Sequence, residues 1–294
     1  MPERDFLLVV NDAAGGGGAR RRLATLLRRE LEIASRARVE PAGGLADVVA
    51  AVRSLGPTTT PVAVGGDGTV NLVVRALRAA GFADRPLGVL PLGTGNAFAH
   101  EVGATTVQRA LRVLTTGRIT TRDVMITTHP AAPLALLSLS TGIESRFIYE
   151  WSLRRDRSWG LGFLAAAARS LAGDRVEVRV VVDGEALGHP GQPVYNAGLY
   201  NTRHYAFGRR VFSDADPGDG WGEAVVCPTA FGYWGVILGR ARAGDLRNGV
   251  RCRPWRHATL ATTGPIQVDG ETVPCGTVEI HIEPSALRVL SACG

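Results

Sequence analysis

"VAVGGDGTVNLVVRAL", Val62 to Leu77, decides how this chain is read. An apolar run ends in Gly65, Gly66, Asp67 and Gly68 and passes at once into residues of helical periodicity, so a strand enters a helix through a turn nearly free of side chains. Glycine permits positive φ there and lets a ligand approach main-chain N–H groups, while the helix dipole favours negative charge. The turn is therefore a candidate phosphate site. Asp67 would repel a bare phosphate, and a divalent cation between the two removes the conflict, which points to magnesium and a nucleotide. Thr69 is placed to cap the helix or bond an oxygen, and Asn71 to brace the loop; Val70 completes the segment.

Further along, "PLGTGNAFAH" repeats the device with Gly93, Thr94, Gly95 and Asn96 at its turn. A third candidate loop, Asn11, Asp12, Ala13, Ala14 and Gly15, follows the apolar run "DFLLVV" and opens one long predicted helix from Gly18 to Ser35. Between the loops, "LADVVAAVRSL" and "TVNLVVRALRAAG" read as helices, and "PVAVG" and "PLGVLPLG" as strands. Such alternation predicts a parallel sheet with crossover helices, whose ligands gather at the carboxyl ends of the strands. Ordinary strand-to-helix turns would also account for each loop singly. Glycine-bearing loops gathered at one end of one sheet, one with an aspartate and another with a threonine, favour a nucleotide.

From about Ile119 the pattern changes to β alternation. "RVEVRVVVDGEALG" turns on Asp183 and Gly184, a hairpin signal, and one helix, "RSWGLGFLAAAARSLAG", interrupts the later strands. The expected division is an α/β domain over residues 1–120 and a β-rich, mainly antiparallel domain over 121–283, with 284–294 packing back on the first.

A hydrophobic fraction of 45% supports a sizeable core. No apolar run reaches the length of a membrane-spanning helix and the start is too short in apolar residues for a signal peptide, so the cytoplasm is the expected compartment. The four cysteines, Cys227, Cys252, Cys275 and Cys293, have neither zinc nor disulfide spacing. A net charge of +6 favours anionic surroundings. All 33 basic side chains are arginines, which excludes a Walker A lysine, a protein-kinase strand lysine and a Schiff base. Phosphate must then be held by N–H groups, arginines, hydroxyls or a metal. No motif for reading nucleic acid is present, so no nucleic-acid partner is expected.

"GGDGTVN" followed by "PLGTGNAFAH" resembles the diacylglycerol kinase catalytic-domain family, in its soluble bacterial lipid-kinase branch, which is also similar to sphingosine and ceramide kinases. The likeness extends over most of the chain, in order, through "NDAAGGGG", "TTRDVM", "STGIESRF", "DADPGDGWGEAVV" and "IQVDGE"; Glu144 stands where the family usually has aspartate. The resemblance implies a Rossmann-like parallel α/β domain binding ATP and a C-terminal, mainly antiparallel β-sandwich presenting a lipid. It implies γ-phosphate transfer from Mg-ATP to diacylglycerol or a related amphiphilic alcohol, with Asn11 to Gly15, Gly65 to Asn71 and Thr94 around ATP and Glu271 as catalytic base. It also implies a magnesium (Mg2+) site of Asp216, Asp219 and the Trp221 carbonyl, linked to the active site through Asp123. On these expectations Asp67→Ala or Glu271→Gln abolishes turnover with folding retained. An NAD kinase, whose family shares "GGDGT", and a non-catalytic nucleotide- or lipid-binding module are the alternatives, the first disfavoured by "PLGTGN".

"VDGE" occurs twice, at Val182 to Glu185 and at Val268 to Glu271. Both read as hairpin turns and spacing does not choose between them; order within the family favours Glu271 and leaves Glu185 an exposed turn residue. "DADPGDG" suits either hard oxygen ligation or an Asp/Gly/Pro surface turn. Trp151, Trp159, Phe163, Tyr205, Phe207, Phe212 and Trp221 serve core packing or an acyl cleft; Arg154, Arg155, Arg157, Arg209 and Arg210 form a solvated rim or meet an anionic membrane peripherally, at its inner face. Oligomeric state is left open, a homodimer included.

Overall fold

The computed structural model describes residues 4–154, 159–189, 191–205, 208–212, 214–240, 244–245 and 249–293; Arg155, Arg157 and Phe207 lie outside them. The chain divides into two compact units, Met1–Arg122 with Ser285–Gly294, and Asp123–Pro284.

In the first unit the order is β1 (Asp5–Val10), α1 (Ala19–Leu27), α2 (Leu31–Ala34), β2 (Ala37–Pro41), α3 (Leu45–Arg53), β3 (Thr59–Gly65), α4 (Asp67–Ala79), β4 (Gly88–Pro91), α5 (Ala97–Glu101) and α6 (Val107–Thr116). The strands form a parallel sheet ordered β2-β1-β3-β4, with Leu8 opposite Val39 and Val62. The order reverses between β1 and β3, so their carboxyl ends border the crevice in which open α/β sheets take ligands. α4 buries Val70, Val73, Val74 and Leu77, one stripe of a 3.6-residue period. It closes with Gly81 at φ 80°, whose N–H bonds the Arg78 carbonyl while that of Phe82 bonds Leu77, the glycine-terminated ending that satisfies the last carbonyls.

The predicted helix from Gly18 to Ser35 is broken between Leu27 and Leu31. Leu23 and Ile33, one on each side of the break, are both buried.

The chain leaves this unit within β5 (Arg118–Thr127). There follow β6 (Leu134–Ala135), β7 (Ser138–Gly142), α7 (Ile143–Ser152), α8 (Trp159–Leu171), β8 (Val178–Val182), β9 (Glu185–Leu187), β10 (Asn196–Tyr200), β11 (His204–Tyr205), β12 (Arg209–Arg210) and β13 (Gly222–Cys227). Then come α9 (Ala230–Gly235), which continues as a π-helical turn over Val236–Arg240, and β14 (Gly244–Asp245), β15 (Arg251–Trp255), β16 (His257–Thr262), β17 (Ile266–Val268), β18 (Glu271–Val273) and β19 (Gly276–Ser291). A sheet ordered β14-β15-β13-β10-β7-β17-β18 and another ordered β6-β5-β19-β16-β8-β9 share one core: Leu139, Leu199 and Val226 from the first meet Val180, Leu260 and Val278 from the second. The other face of the first sheet has its own core, where Tyr200 and Val225 pack with Tyr233 and Ile237. Alternate residues of one strand thus serve two interiors.

Sequence periodicity identified α8 but not α7 or α9. α7 starts directly from a strand because Gly142 takes φ 102°, and a Cβ there would lie 2.4 Å from the Tyr195 carbonyl. Phe163 of α8 packs edge-on against Phe147 and Trp151 of α7, with ring centroids 5.2 and 5.9 Å away. No helix among the described residues is long and apolar enough to cross a membrane.

Candidate functional site

The loops after β1, β3 and β4 are fastened to one another. Asn11 folds the first, its Oδ1 accepting the Ala13 N–H at 3.1 Å, and Asp12 Oδ1 accepts the Arg20 N–H at 2.9 Å in the first turn of α1. Gly15, Gly16, Gly17 and Gly18 all take positive φ, from 60° to 92°. A Cβ at Gly15 would stand 2.4 Å from the Leu92 carbonyl. Arg22 clamps the same spot, donating from Nη2 to the carbonyls of Ala14 (2.8 Å) and Leu92 (3.3 Å), so the first and third loops share one guanidinium.

Asp67 joins the second loop to the third. Its Oδ2 accepts the Ala97 N–H at 3.1 Å and its Oδ1 the Phe98 N–H at 2.9 Å, which caps α5. The residue is partly exposed, but both oxygens face inward, and burial raises the carboxyl above its usual range while the bonds from Phe98 and Ala97 lower it. The expected direction was outward, toward magnesium; the α5 amides hold the carboxylate instead. A Cβ at Gly93 would lie 2.3 Å from the Gly66 Cα, so the second and third loops touch backbone to backbone. Asn96, at φ 52°, braces the third loop by accepting the Gly93 N–H (3.1 Å) and donating to the Gly93 carbonyl (2.9 Å).

Gly68 and Thr94 are exposed at the rim, and Gly65, Gly66, Gly95 and Asn71 lie below it. The Val70 side chain is buried in the core, because α4 turns that position onto the sheet. Thr69 is also buried, and its Oγ1 has no hydrogen-bond partner among the described residues. An orphaned hydroxyl at a helix start, beside side-chain-free loops, fits an oxyanion such as a polyphosphate.

In the second unit the two "VDGE" turns are built alike. Asp183 and Gly184 take φ 49° and 88°, Asp269 and Gly270 take 48° and 87°. Each aspartate ties down a neighbouring segment: Asp183 accepts from the N–H groups of Arg256 and His257, and Asp269 from Leu136, Leu137 and Ser138 at 2.7, 2.8 and 3.1 Å. Glu185 and Glu271 are both exposed at the start of edge strands. The turns differ underneath. Where the first has Val181, the second has Gln267, fully buried, with Oε1 accepting the Gly270 N–H at 3.0 Å.

Gln267 leads to a buried polar cluster that sequence reasoning missed. Its Nε2 lies 3.0 Å from Ser138 Oγ, 2.9 Å from Ser140 Oγ and 3.3 Å from Tyr205 Oη. Ser140 donates to Glu144 Oε2 at 2.6 Å, Tyr205 to the same oxygen at 3.2 Å, and Tyr200 to Oε1 at 2.8 Å. Burial raises the Glu144 carboxyl, while hydrogen bonds from Ser140, Tyr200, Tyr205 and Tyr233 lower it. The signal available beforehand was a glutamine between two apolar residues of a strand, opposite "LSLS".

The expected metal loop is closed by its own partners. Arg203 donates to Asp216 Oδ1 at 2.8 Å, Asp219 Oδ1 accepts the Trp221 N–H at 2.9 Å, and Asp123, buried, accepts the Gly220 N–H at 2.7 Å. Among the described residues no group of three or more His, Cys, Asp or Glu side chains is placed to hold a metal ion. Asp216, Asp219 and Asp123 thus each spend at least one carboxylate oxygen on a protein donor. Of the aromatic residues, Tyr205 and Phe212 pack against Tyr200, and the Arg256 guanidinium sits 4.1 Å above the Trp221 ring.

A sequence profile of the diacylglycerol kinase catalytic domain matches residues 5–127. Over 243 residues the chain is 28% identical to the protein named "Probable lipid kinase YegS-like" of Cronobacter sakazakii, a match covering 78% of this chain and 77% of that one. The protein of the same name from Klebsiella pneumoniae is 27% identical over 242 residues, covering 78% and 76%. A crystal structure of a diacylglycerol kinase from Bacillus anthracis str. Sterne resembles the fold with a TM-score of 0.68 at 15% identity, over 99% of this chain and 98% of that one. The three fastened loops all fall within residues 5–127, the segment that matches the diacylglycerol kinase catalytic domain.

Proposed function

We propose that the protein transfers the γ-phosphate of ATP to a hydroxyl of a bilayer lipid, diacylglycerol or a related amphiphile. The observation that carries this reading is the set of glycine loops locked together by Asp67 and Arg22, with the unpartnered Thr69 hydroxyl among them. Asn11 to Gly15, Gly65 to Thr69 and Gly93 to Asn96 would hold the nucleotide through main-chain N–H groups, which suits a chain without lysine. Bound Mg-ATP supplies the transferable phosphoryl group and the cation that spreads its charge, the cation arriving with the nucleotide. Glu271 would accept the proton of the lipid hydroxyl. Incubation with ATP and a mixed lipid extract should yield a lipid heavier by one phosphoryl group in the mass spectrum. ATP uptake with no phosphorylated lipid would identify a binding module instead.

The surface of the second unit supports a bilayer substrate. α8 turns Gly162, Ala166 and Ser170 inward or against its neighbours and leaves Leu161 and Leu164 exposed at 73% and 65%, beside Ala165, Ala168 and Arg169. α9 and its π-turn likewise expose Phe231 (74%), Trp234 and Leu238, in a stretch, 228–244, that has two arginines and no acidic residue. Surface helices apolar on both faces, too short to span, with an aromatic pair and basic neighbours, have the chemistry of segments that lie in an anionic membrane interface. Leu161→Glu with Leu164→Glu should weaken sedimentation with phosphatidylglycerol vesicles about 100-fold, since each leucine contributes about 1.5 kcal/mol or more on transfer. Unchanged binding would refute the membrane face. Conversion of a dimer to a monomer would reassign it to contact between copies.

A further inference from the structure

Glu144 lies at the end of a one-way chain of hydrogen bonds that begins beside Glu271. As a carboxylate it only accepts. Tyr200, Tyr205 and Ser140 each direct their single proton to it, at 2.8, 3.2 and 2.6 Å, so toward any other neighbour these hydroxyls present lone pairs. The Gln267 amide has the lone pairs of Ser140 and Tyr205 on one side, and only its nitrogen can face them; the same nitrogen also donates to Ser138 Oγ. Its carbonyl is thereby turned the other way, onto the Gly270 N–H at 3.0 Å. The adjacent residue is Glu271, whose exposed side chain takes its direction from this turn. The register of the sheet makes the alignment possible: Gln267 lies opposite Ser140 across β17 and β7, both on the face away from the sandwich core.

We propose that Glu144 is a positioning residue for Glu271, acting through Ser140, Gln267 and the Gly270 N–H to hold the orientation of the turn that carries the base. The inference rests on Glu271 being that base. It gives a use to a buried carboxyl that phosphoryl transfer itself does not require. It also accounts for the difference between the two "VDGE" turns, because Glu185 has Val181 beneath it and no such chain.

Glu144→Gln keeps the volume of the side chain but introduces a donor, so one hydroxyl proton loses its acceptor and the Gln267 amide is no longer held in one orientation. The variant should fold, keep its KM for ATP within about twofold, and lose about 10- to 100-fold in kcat, the scale of a small misplacement of a catalytic group. Glu144→Asp, which restores a carboxylate, should recover most of the loss. The decisive readout is the double variant with Glu271→Gln. A residue acting only through Glu271 has nothing further to lose there, so Glu144→Gln should leave the residual rate unchanged. Should Glu271→Gln itself retain full turnover, the base assignment falls and the positioning role with it. Loss of turnover in Glu271→Gln, combined with wild-type kcat in Glu144→Gln or an equal further loss in the double variant, overturns the positioning role alone. If Glu144→Gln does not fold, Tyr205→Phe removes one donor from the same carboxylate and is tested by the same cycle.

Discussion

Glu271→Gln is expected to lower kcat by about 10²- to 10⁴-fold, the usual contribution of a general base, with ATP affinity and unfolding unchanged. The side chain is exposed at the first position of β18, so losing its charge removes no buried interaction. The turn below is held by Asp269 and Gln267, neither of which is altered. The chain has its own control. Glu185 follows a turn of the same backbone geometry, and Glu185→Gln should leave kcat within about twofold. Steady-state phosphorylation of dispersed lipid, with calorimetric ATP titration, checks both. Equal losses in the two variants would reveal a general charge effect, and full activity in Glu271→Gln would remove the base assignment.

Asp67→Ala should damage stability and nucleotide uptake together. The alanine leaves the Ala97 and Phe98 N–H groups without their acceptor. Two abandoned donors cost about 2–4 kcal/mol in all, a range that includes the loss of the α5 cap. The third loop is then released from the second, and ATP affinity should fall about tenfold or more, equivalent to 1.4 kcal/mol or more. Denaturant unfolding and calorimetry measure the two effects. The local reading of the sequence anticipated an inactive but fully stable variant; the inward carboxylate predicts a destabilised one. The pH dependence carries the same signature. Because burial raises the carboxyl in the folded chain, its contribution is fully present below its ordinary value of 3.8 and is lost as pH rises through the raised folded value. The stability difference between wild type and Asp67→Asn should therefore be largest in acid and shrink as pH increases. A difference that grows with pH would contradict this placement, as would unchanged ATP uptake in Asp67→Ala.

What the amino-acid order determined by itself was local: the strand, glycine turn and helix at Val62 to Leu77, the hairpin at Asp183 and Gly184, and the change from 3.6-residue to two-residue periodicity. These follow from steric permission at glycine and from which face of an element is apolar, and both are written in neighbouring residues. α7 and the break before Leu31 escaped that reading; a glycine conformation decided the first. Only the tertiary structure decided what the charged groups do. Asp67 meets its partners 30 and 31 residues away, Arg22 reaches Leu92, and Gln267 finds Ser140 across 127 residues. Polar side chains satisfy whatever group the fold brings within about 3 Å, and the sequence period of a strand or helix does not encode that distance.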